Sequence, residues 1–541
     1  MTQTYRPCLA IVFLSPLLLG TSPSPYQYGL RTGGPIAMPS HNCVDSDTRK
    51  QMRSAIATNK RLRAELFNPS GGSPRGGSAL PLLPFYPIAG NNYGDIFHGG
   101  FVDLDPTSPG FHDYNCMPFS RDTHAGIDSE IRGFGEQIIG VPVLAALDGV
   151  VVFTQDGWPD MNLNGGTQGN IVAIDHGGWE TSYYHLKNGS VTVAVNDVVK
   201  AGQQIGLIAS SGNSFGPHLH FEIRDPIFAP YEPFAGPCRP GASGWVDQLP
   251  TNLDSYLDDF AMSYIPLDTV PGLPFDMPRT GQIGFEDDEV WFWIRGHNLP
   301  VDTAWRVQFF RPDGTEALLW EWFFFNEEIY RNYWFTFGYD IEHLIPDMHI
   351  ITGTWRVRVE FNDQLMVDAP FEVRAERTPD FNRPPNSITL SFDPPAPTLD
   401  DVLFCRVNTS LLLDDPDYNI VRYRYEWTAD RTVIRDVTHA GQADALPHHA
   451  VCGGAEIACT VTPNDGTIDG PSSVISTTLP GIAEVDLDCD CELTTADIAY
   501  FVEALLAPEG FSGCTIDRAD VVSDGNIDGK DVGGLVSAII N

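Results

Sequence analysis

Gly216-Pro-His218-Leu-His220-Phe-Glu-Ile223 carries the alternation of a half-buried strand. Successive side chains of an extended chain point to opposite faces, so His218 and His220 share one surface while Phe221 and Ile223 turn into a core. Far upstream, Arg121-Asp-Thr-His124-Ala-Gly-Ile-Asp128 sets an imidazole and a carboxylate four residues apart, and Tyr183-Tyr184-His185-Leu186 lies between the two stretches. Around them, from about 96 to 232, short β-rich runs alternate with Gly/Asn turns. The runs are Val150 to Thr154, Asn170 to Asp175, Thr181 to Leu186, Gln204 to Ala209 and His218 to Arg224. That spacing predicts an antiparallel all-β unit.

A catalytic zinc takes three protein ligands, N or O, and keeps the fourth position for water. His124, Asp128 and one of His218 and His220 would supply that set. With no Cys among the ligands the metal stays a stronger Lewis acid. His-x-His alone arises by chance on many strands, and His-x-x-x-Asp alone is as weak. In this order, across one β-rich segment, they reinforce each other.

The blocks between them are also characteristic: Val143-Leu-Ala-Ala-Leu-Asp-Gly149-Val, Gly169-Asn170-Ile-Val and Val198-Val-Lys200-Ala-Gly202-Gln203-Gln-Ile-Gly206. Residues of about 118 to 225 resemble the lysostaphin/LytM-type zinc metalloendopeptidases, the peptidoglycan-lytic Gly-Gly endopeptidase family. The resemblance implies one catalytic Zn2+ on His124, Asp128 and His220, with His185 and His218 handling the proton and negative charge of hydrolysis. It also implies a peptidoglycan cross-link or stem peptide as substrate. His176 matches no catalytic position and is read as structural. Gly212-Asn-Ser214-Phe-Gly216 fits the G-x-S-x-G pattern, but that nucleophile elbow needs a helix after it, and here Pro217 and the His218 strand follow.

The rest of the 541 residues predicts a mainly β, multidomain chain: 43 prolines and 51 glycines favour short strands and turns. Arg6, the apolar run Leu9 to Leu19 and the small residues after it read as a signal peptide over 1–22. Residues 23–95 hold a helix over Asp45 to Phe67 and a linker-like stretch at 68–77. The peptidase unit is assigned to 96–235 and a β-sandwich to 280–376. In the latter, Trp291, Phe292, Trp293, Trp320, Trp322 and Trp334 are read as core, with a carbohydrate-binding face as the alternative. An Ig-like sandwich is assigned to 386–480 on the order Cys405, Trp427, Cys459, with Cys452–Cys459 as the other pairing. Setting aside Cys8, the cysteines fall in three groups of three, which suggests local disulfides in an exported protein.

Residues 484–541 resemble a dockerin, a small α-helical module with calcium loops. Asp486, Asp488, Asp490 and Asp497 occupy positions 1, 3, 5 and 12 of a first loop, and Asp520, Asp524 and Asp531 stand in a second with Gly525 at the turn. Cys491 replaces the usual turn glycine, and Val522 removes a ligand. The resemblance implies Ca2+ and a cohesin-like docking partner. Acidic residues outnumber basic ones 71 to 32, a formal charge of -39, which argues against nucleic acid as partner. No stretch after the signal is long enough to span a membrane. Two other functions fit the sequence: a non-catalytic activator of a wall hydrolase, and a surface scaffold whose peptidase acts on a non-wall protein.

Overall fold

In the computed structural model, His218–Arg224 forms a strand at the third position of a seven-stranded antiparallel sheet. The order is Phe97–Gly100, Ile127–Glu130, His218–Arg224, Glu180–Leu186, Asn170–Asp175, Gly149–Gln155 and Val198–Val199. The structure describes residues 29–36, 44, 46–67, 82–166, 168–270, 276–451, 453–480, 486–487, 495, 497–511, 519–522 and 524–540. The signal segment, the 68–77 linker, Cys43, Cys452, Cys489, Cys491, Cys514, Asp488 and Asp490 lie outside them.

One face of the sheet packs Ile127, Val151, Val172, Ile174, Tyr183, Leu219, Phe221 and Ile223 into the main core. The opposite face carries Tyr184, Val152, Ile171 and Ala173, and a helix, α1 (Ser46–Phe67), covers it with Met52 and Ile56. The helix presents a stripe: Arg49, Met52, Arg53, Ile56, Asn59 and Lys60 recur at the three- and four-residue spacing that brings side chains onto one face. Asn59 Nδ2 donates to Val152 O at 2.8 Å, and Lys60 pairs with Asp175 at 2.7 Å. A disulfide, Cys116–Cys238, joins the segment before the Ile127–Glu130 strand to the segment after the His218–Arg224 strand. The run expected over Gln204 to Ala209 is shorter: Gln204–Leu207 pairs with Pro142–Leu144 in a separate two-stranded sheet.

The second unit is a sandwich of a four-stranded and a five-stranded sheet. Two of its strands fall outside 280–376: Tyr256–Ser263 and, from the N-terminal segment, Gly29–Pro35, which pairs with Tyr330–Asp340. Phe292 and Trp305 lie between the sheets, and Trp291 and Trp293 are buried under the segment containing Leu267 and Met277. Trp320, Trp322 and Trp334 are half-buried against the same cores. Buried Arg295 donates to Ile131 O at 2.8 Å, and Asn332 Nδ2 donates to Glu130 Oε1 at 2.7 Å. Both contacts brace the Ile127–Glu130 strand.

The third unit joins a three-stranded to a four-stranded sheet through the Cys405–Cys459 disulfide, and Trp427 stands in register beside Cys459. At the C-terminus, helices Asp497–Leu506 and Asp531–Ile540 share a small core with Leu487, Phe501 and Leu535. In the second loop Asp520 is half-buried and Asp524 is exposed, while Asp531 is buried at the start of the last helix. Asp520 accepts N–H groups from Asp524 and Gly525, Asp531 accepts from Val522 and Asp528, and Lys530 pairs with Asp524 at 2.6 Å. The lysine ammonium therefore supplies positive charge to that loop. In the first loop the buried carboxylate of Asp497 accepts Leu487 N–H at 2.8 Å, and Asp486 is likewise buried.

Candidate metal centre

Register brings the site together. His220 stands directly across from Asp128 on one neighbouring strand and from Tyr184 on the other. Cross-strand partners share a face, so Asp128 points to the side that carries His220. His124 comes from the turn before Asp128, and Gly126 lets that turn close. A Cβ at Gly126 would sit 2.6 Å from Phe221 O and 2.9 Å from the His220 ring, too near for any side chain.

Three atoms converge. His124 Nε2 lies 3.2 Å from Asp128 Oδ1 and 3.2 Å from His220 Nδ1, and His220 Nδ1 lies 2.7 Å from Asp128 Oδ1. Among the described residues, this is the one group of three or more His, Cys, Asp or Glu side chains gathered closely enough to hold a metal ion. All three are buried. Of the two histidines on the strand, His220 is the one that joins it; His218 Nε2 stands 3.8 Å from Asp128 Oδ1.

The neighbours fix where the hydrogens are. His124 Nδ1 faces Phe101 O at 2.7 Å, and a carbonyl only accepts, so Nδ1 carries the hydrogen and Nε2 the lone pair. His220 Nε2 faces Glu222 Oε1 at 2.9 Å, so Nε2 carries the hydrogen and Nδ1 the lone pair. Two imidazole lone pairs and a carboxylate oxygen thus face one another in a buried space. Such an arrangement is repulsive unless a cation sits among them. A proton is a poor candidate at His124: burial, and then the Arg121 charge, push its pKa down. Burial opposes ionisation of Asp128, yet Arg121, His124 and His220 hold its carboxyl well below the usual carboxylate range. The Arg121 guanidinium grips the outer oxygen, Oδ2, at 2.5 Å and leaves Oδ1 to the cluster.

His185 and His218 lie side by side, ring centroids 4.5 Å apart. His185 Nδ1 donates to Ser211 O at 2.6 Å and His218 Nδ1 to Gly216 O at 2.9 Å, so each ring has its lone pair on Nε2. His185 reaches this face through a bulge. Asn170 pairs with Leu186 but Val172 pairs with Tyr183, which leaves one extra residue on the histidine's strand, and His185 adopts φ 64°. His176 bridges Asp148 O and Thr181 Oγ1 and is structural. No helix follows Ser214; the His218 strand does.

Sequence reasoning passed over three side chains of this site. Glu222 was legible: it follows His220 by two residues and so shares its face. Arg49 left a trace in the stripe along α1. Arg121 left none.

Residues 122–230 match the family model "Peptidase family M23". The peptidoglycan DD-endopeptidase ShyA of Vibrio cholerae is 41% identical over 86 residues, 16% of this chain and 18% of that protein. Lysostaphin of Staphylococcus staphylolyticus is 38% identical over 111 residues, 20% of this chain and 21% of that protein. The solved catalytic domain of lysostaphin from Staphylococcus simulans is 27% identical, with 26% of this chain and 90% of that one covered and a TM-score of 0.18. The chain thus spans about a fifth of the length of the two curated relatives named. No helix among the described residues is long and apolar enough to cross a membrane. The converging His124, Asp128 and His220 fall inside residues 122–230, the segment of this chain that matches Peptidase family M23.

Proposed function

We propose that the protein is an exported zinc metalloendopeptidase that hydrolyses peptide bonds of peptidoglycan. The observation that carries this reading is the convergence of His124 Nε2, His220 Nδ1 and Asp128 Oδ1, with the other nitrogen of each ring engaged by Phe101 O or Glu222 Oε1. The donor set of two imidazoles and one carboxylate suits zinc. The three atoms stand 3.2, 3.2 and 2.7 Å from one another, so one ion would be within reach of all of them. When bound, zinc supplies Lewis acidity toward water and the scissile carbonyl.

The chain's own groups do the remaining work. In their neutral forms His185 and His218 can each take a proton from the attacking water through Nε2, and either, once protonated, stabilises the negative charge of the tetrahedral stage and returns the proton to the leaving amine. Peptidoglycan as substrate is supported by the likeness to a protein named as a peptidoglycan DD-endopeptidase. Export is supported by the N-terminal apolar run and by two disulfides, Cys116–Cys238 and Cys405–Cys459, which persist in oxidising compartments. Digestion of isolated sacculi by the purified protein, with released fragments identified by mass, tests the substrate. Muropeptides cut at a cross-link or stem bond are expected; intact sacculi beside cleavage of an unrelated protein would move the substrate away from the wall.

The C-terminal helix pair is read as a dockerin-like tail that binds calcium, most readily at the Asp486–Asp497 loop, and docks to a cohesin-like partner. The loop spacing and the helix after each loop support it. Millimolar calcium is expected to slow amide exchange over 497–511 in the full chain, with no change over the first two units. Unchanged exchange there would leave the loops as acidic turns.

A further inference from the structure

Helix α1 precedes the M23 segment by more than fifty residues, yet its Arg49 reaches the metal centre. Arg49 Nη2 lies 2.6 Å from Glu222 Oε1, and Nη1 donates to Glu222 Oε2 at 2.9 Å, a two-pronged grip on both oxygens. Arg224 also binds Glu222, but through Nη2 at 2.6 Å and Nε at 2.9 Å it engages Oε2 alone. Oε1 is the oxygen that accepts the His220 Nε2 hydrogen. Arg224 thus neutralises the carboxylate without fixing its plane, and Arg49 fixes the plane. Tyr184, whose ring meets the His220 ring edge-on at 5.4 Å, lies between this pair and the helix residue Met52.

We infer that Arg49 is a positioning residue of the metal centre: through Glu222 Oε1 it locks His220 in the tautomer and orientation that present Nδ1 to the ion. The inference rests on the reading of His124, Asp128 and His220 as ligands. It makes α1 part of the functional site, held there by a fork geometry that a lysine cannot reproduce. Outer partners of metal-bound histidines typically contribute about 10–100-fold in metal affinity, and Arg49 belongs to that class although it lies one contact further out. Lys60 supplies a control. It fastens the same helix to the same sheet through Asp175 and Glu180, away from His220.

The test is zinc affinity of the full chain, by competition with a chromogenic chelator, for wild type, Arg49→Ala, Arg49→Lys, Lys60→Ala, Glu222→Gln and the Arg49→Ala/Glu222→Gln double variant. Arg49→Ala is expected to weaken zinc about tenfold, Arg49→Lys to recover part of that, and Lys60→Ala to stay within about twofold. Adding Arg49→Ala to Glu222→Gln is expected to cost less than about threefold, because both act along one line of contact. Wild-type affinity in Arg49→Ala, an equal loss in Lys60→Ala, or a full additive loss in the double variant overturns the inference. Higher peptidase activity in Arg49→Ala at unchanged zinc affinity would do so as well, by making α1 a cover instead of a support. A wild-type chain that binds no zinc defeats the ligand reading itself, and only that outcome does.

Discussion

Replacing His220 by alanine is expected to strip the metal and the activity together. On the proposed reading His220 supplies one of three ligand atoms, and it stands between Asp128 and Tyr184 in register. With it gone, His124 and Asp128 remain as a two-point site in a buried space, and affinity falls well past the 10–100-fold typical of outer-shell changes. Hydrolysis is expected to drop by at least about 10³-fold, the scale on which Lewis-acid activation contributes. A thermodynamic signature accompanies the loss. Ligand binding to the folded state alone stabilises it by about 4 kcal/mol at a thousandfold excess over Kd, so a chelator is expected to lower the melting temperature of the wild type and leave His220→Ala unmoved. Equal chelator sensitivity in the two proteins would separate the metal from His220.

The second large effect separates binding from chemistry. His185→Ala and His218→Ala are each expected to cut kcat by about 10²–10⁴-fold, the range for a positioned acid or base. Zinc affinity in both is expected to stay within about threefold of the wild type. Neither ring belongs to the converging trio, and each is held by a backbone carbonyl, Ser211 O or Gly216 O, that the substitution leaves intact. Because the rings touch, the double variant is expected to lose little more than the worse single one. Zinc loss in either single variant would move that histidine into the ligand set; an unchanged kcat would remove it from the mechanism.

Much of this site was legible before any fold was drawn. Period-two alternation sets His218, His220 and Glu222 on one face and Leu219, Phe221 and Ile223 on the other, because Leu219 and Phe221 are strongly apolar and a one-residue slip would expose both. The ligand set was narrowed to two alternatives from residue types alone, and cross-strand register, which no local pattern encodes, distinguishes His220 from His218. His185 shows where alternation fails. Counting by twos from Tyr183 places it in the core, and only the bulge opposite Asn170 and Val172 turns it toward His218. The helix stripe shows Arg49 only as a buried-face residue, and its contact to Glu222, like that of Arg121 to Asp128, is legible only after folding.

Elsewhere, the sandwich boundaries moved because a strand as short as Gly29–Pro35, rich in Gly, carries little periodic signal yet satisfies an exposed edge. The second acidic loop carries a cation of its own. Lys530 lies next to the last loop aspartate, and its ammonium reaches Asp524, a neutralisation that ligand spacing alone does not reveal.

The most direct test of the whole account is X-ray absorption at the zinc edge on the purified full chain. One zinc per chain is expected, with only nitrogen and oxygen neighbours at about 2.0–2.1 Å, and with that signal gone in His220→Ala. Absence of stoichiometric zinc, a sulfur neighbour in the spectrum, or an unaltered spectrum in His220→Ala would contradict it.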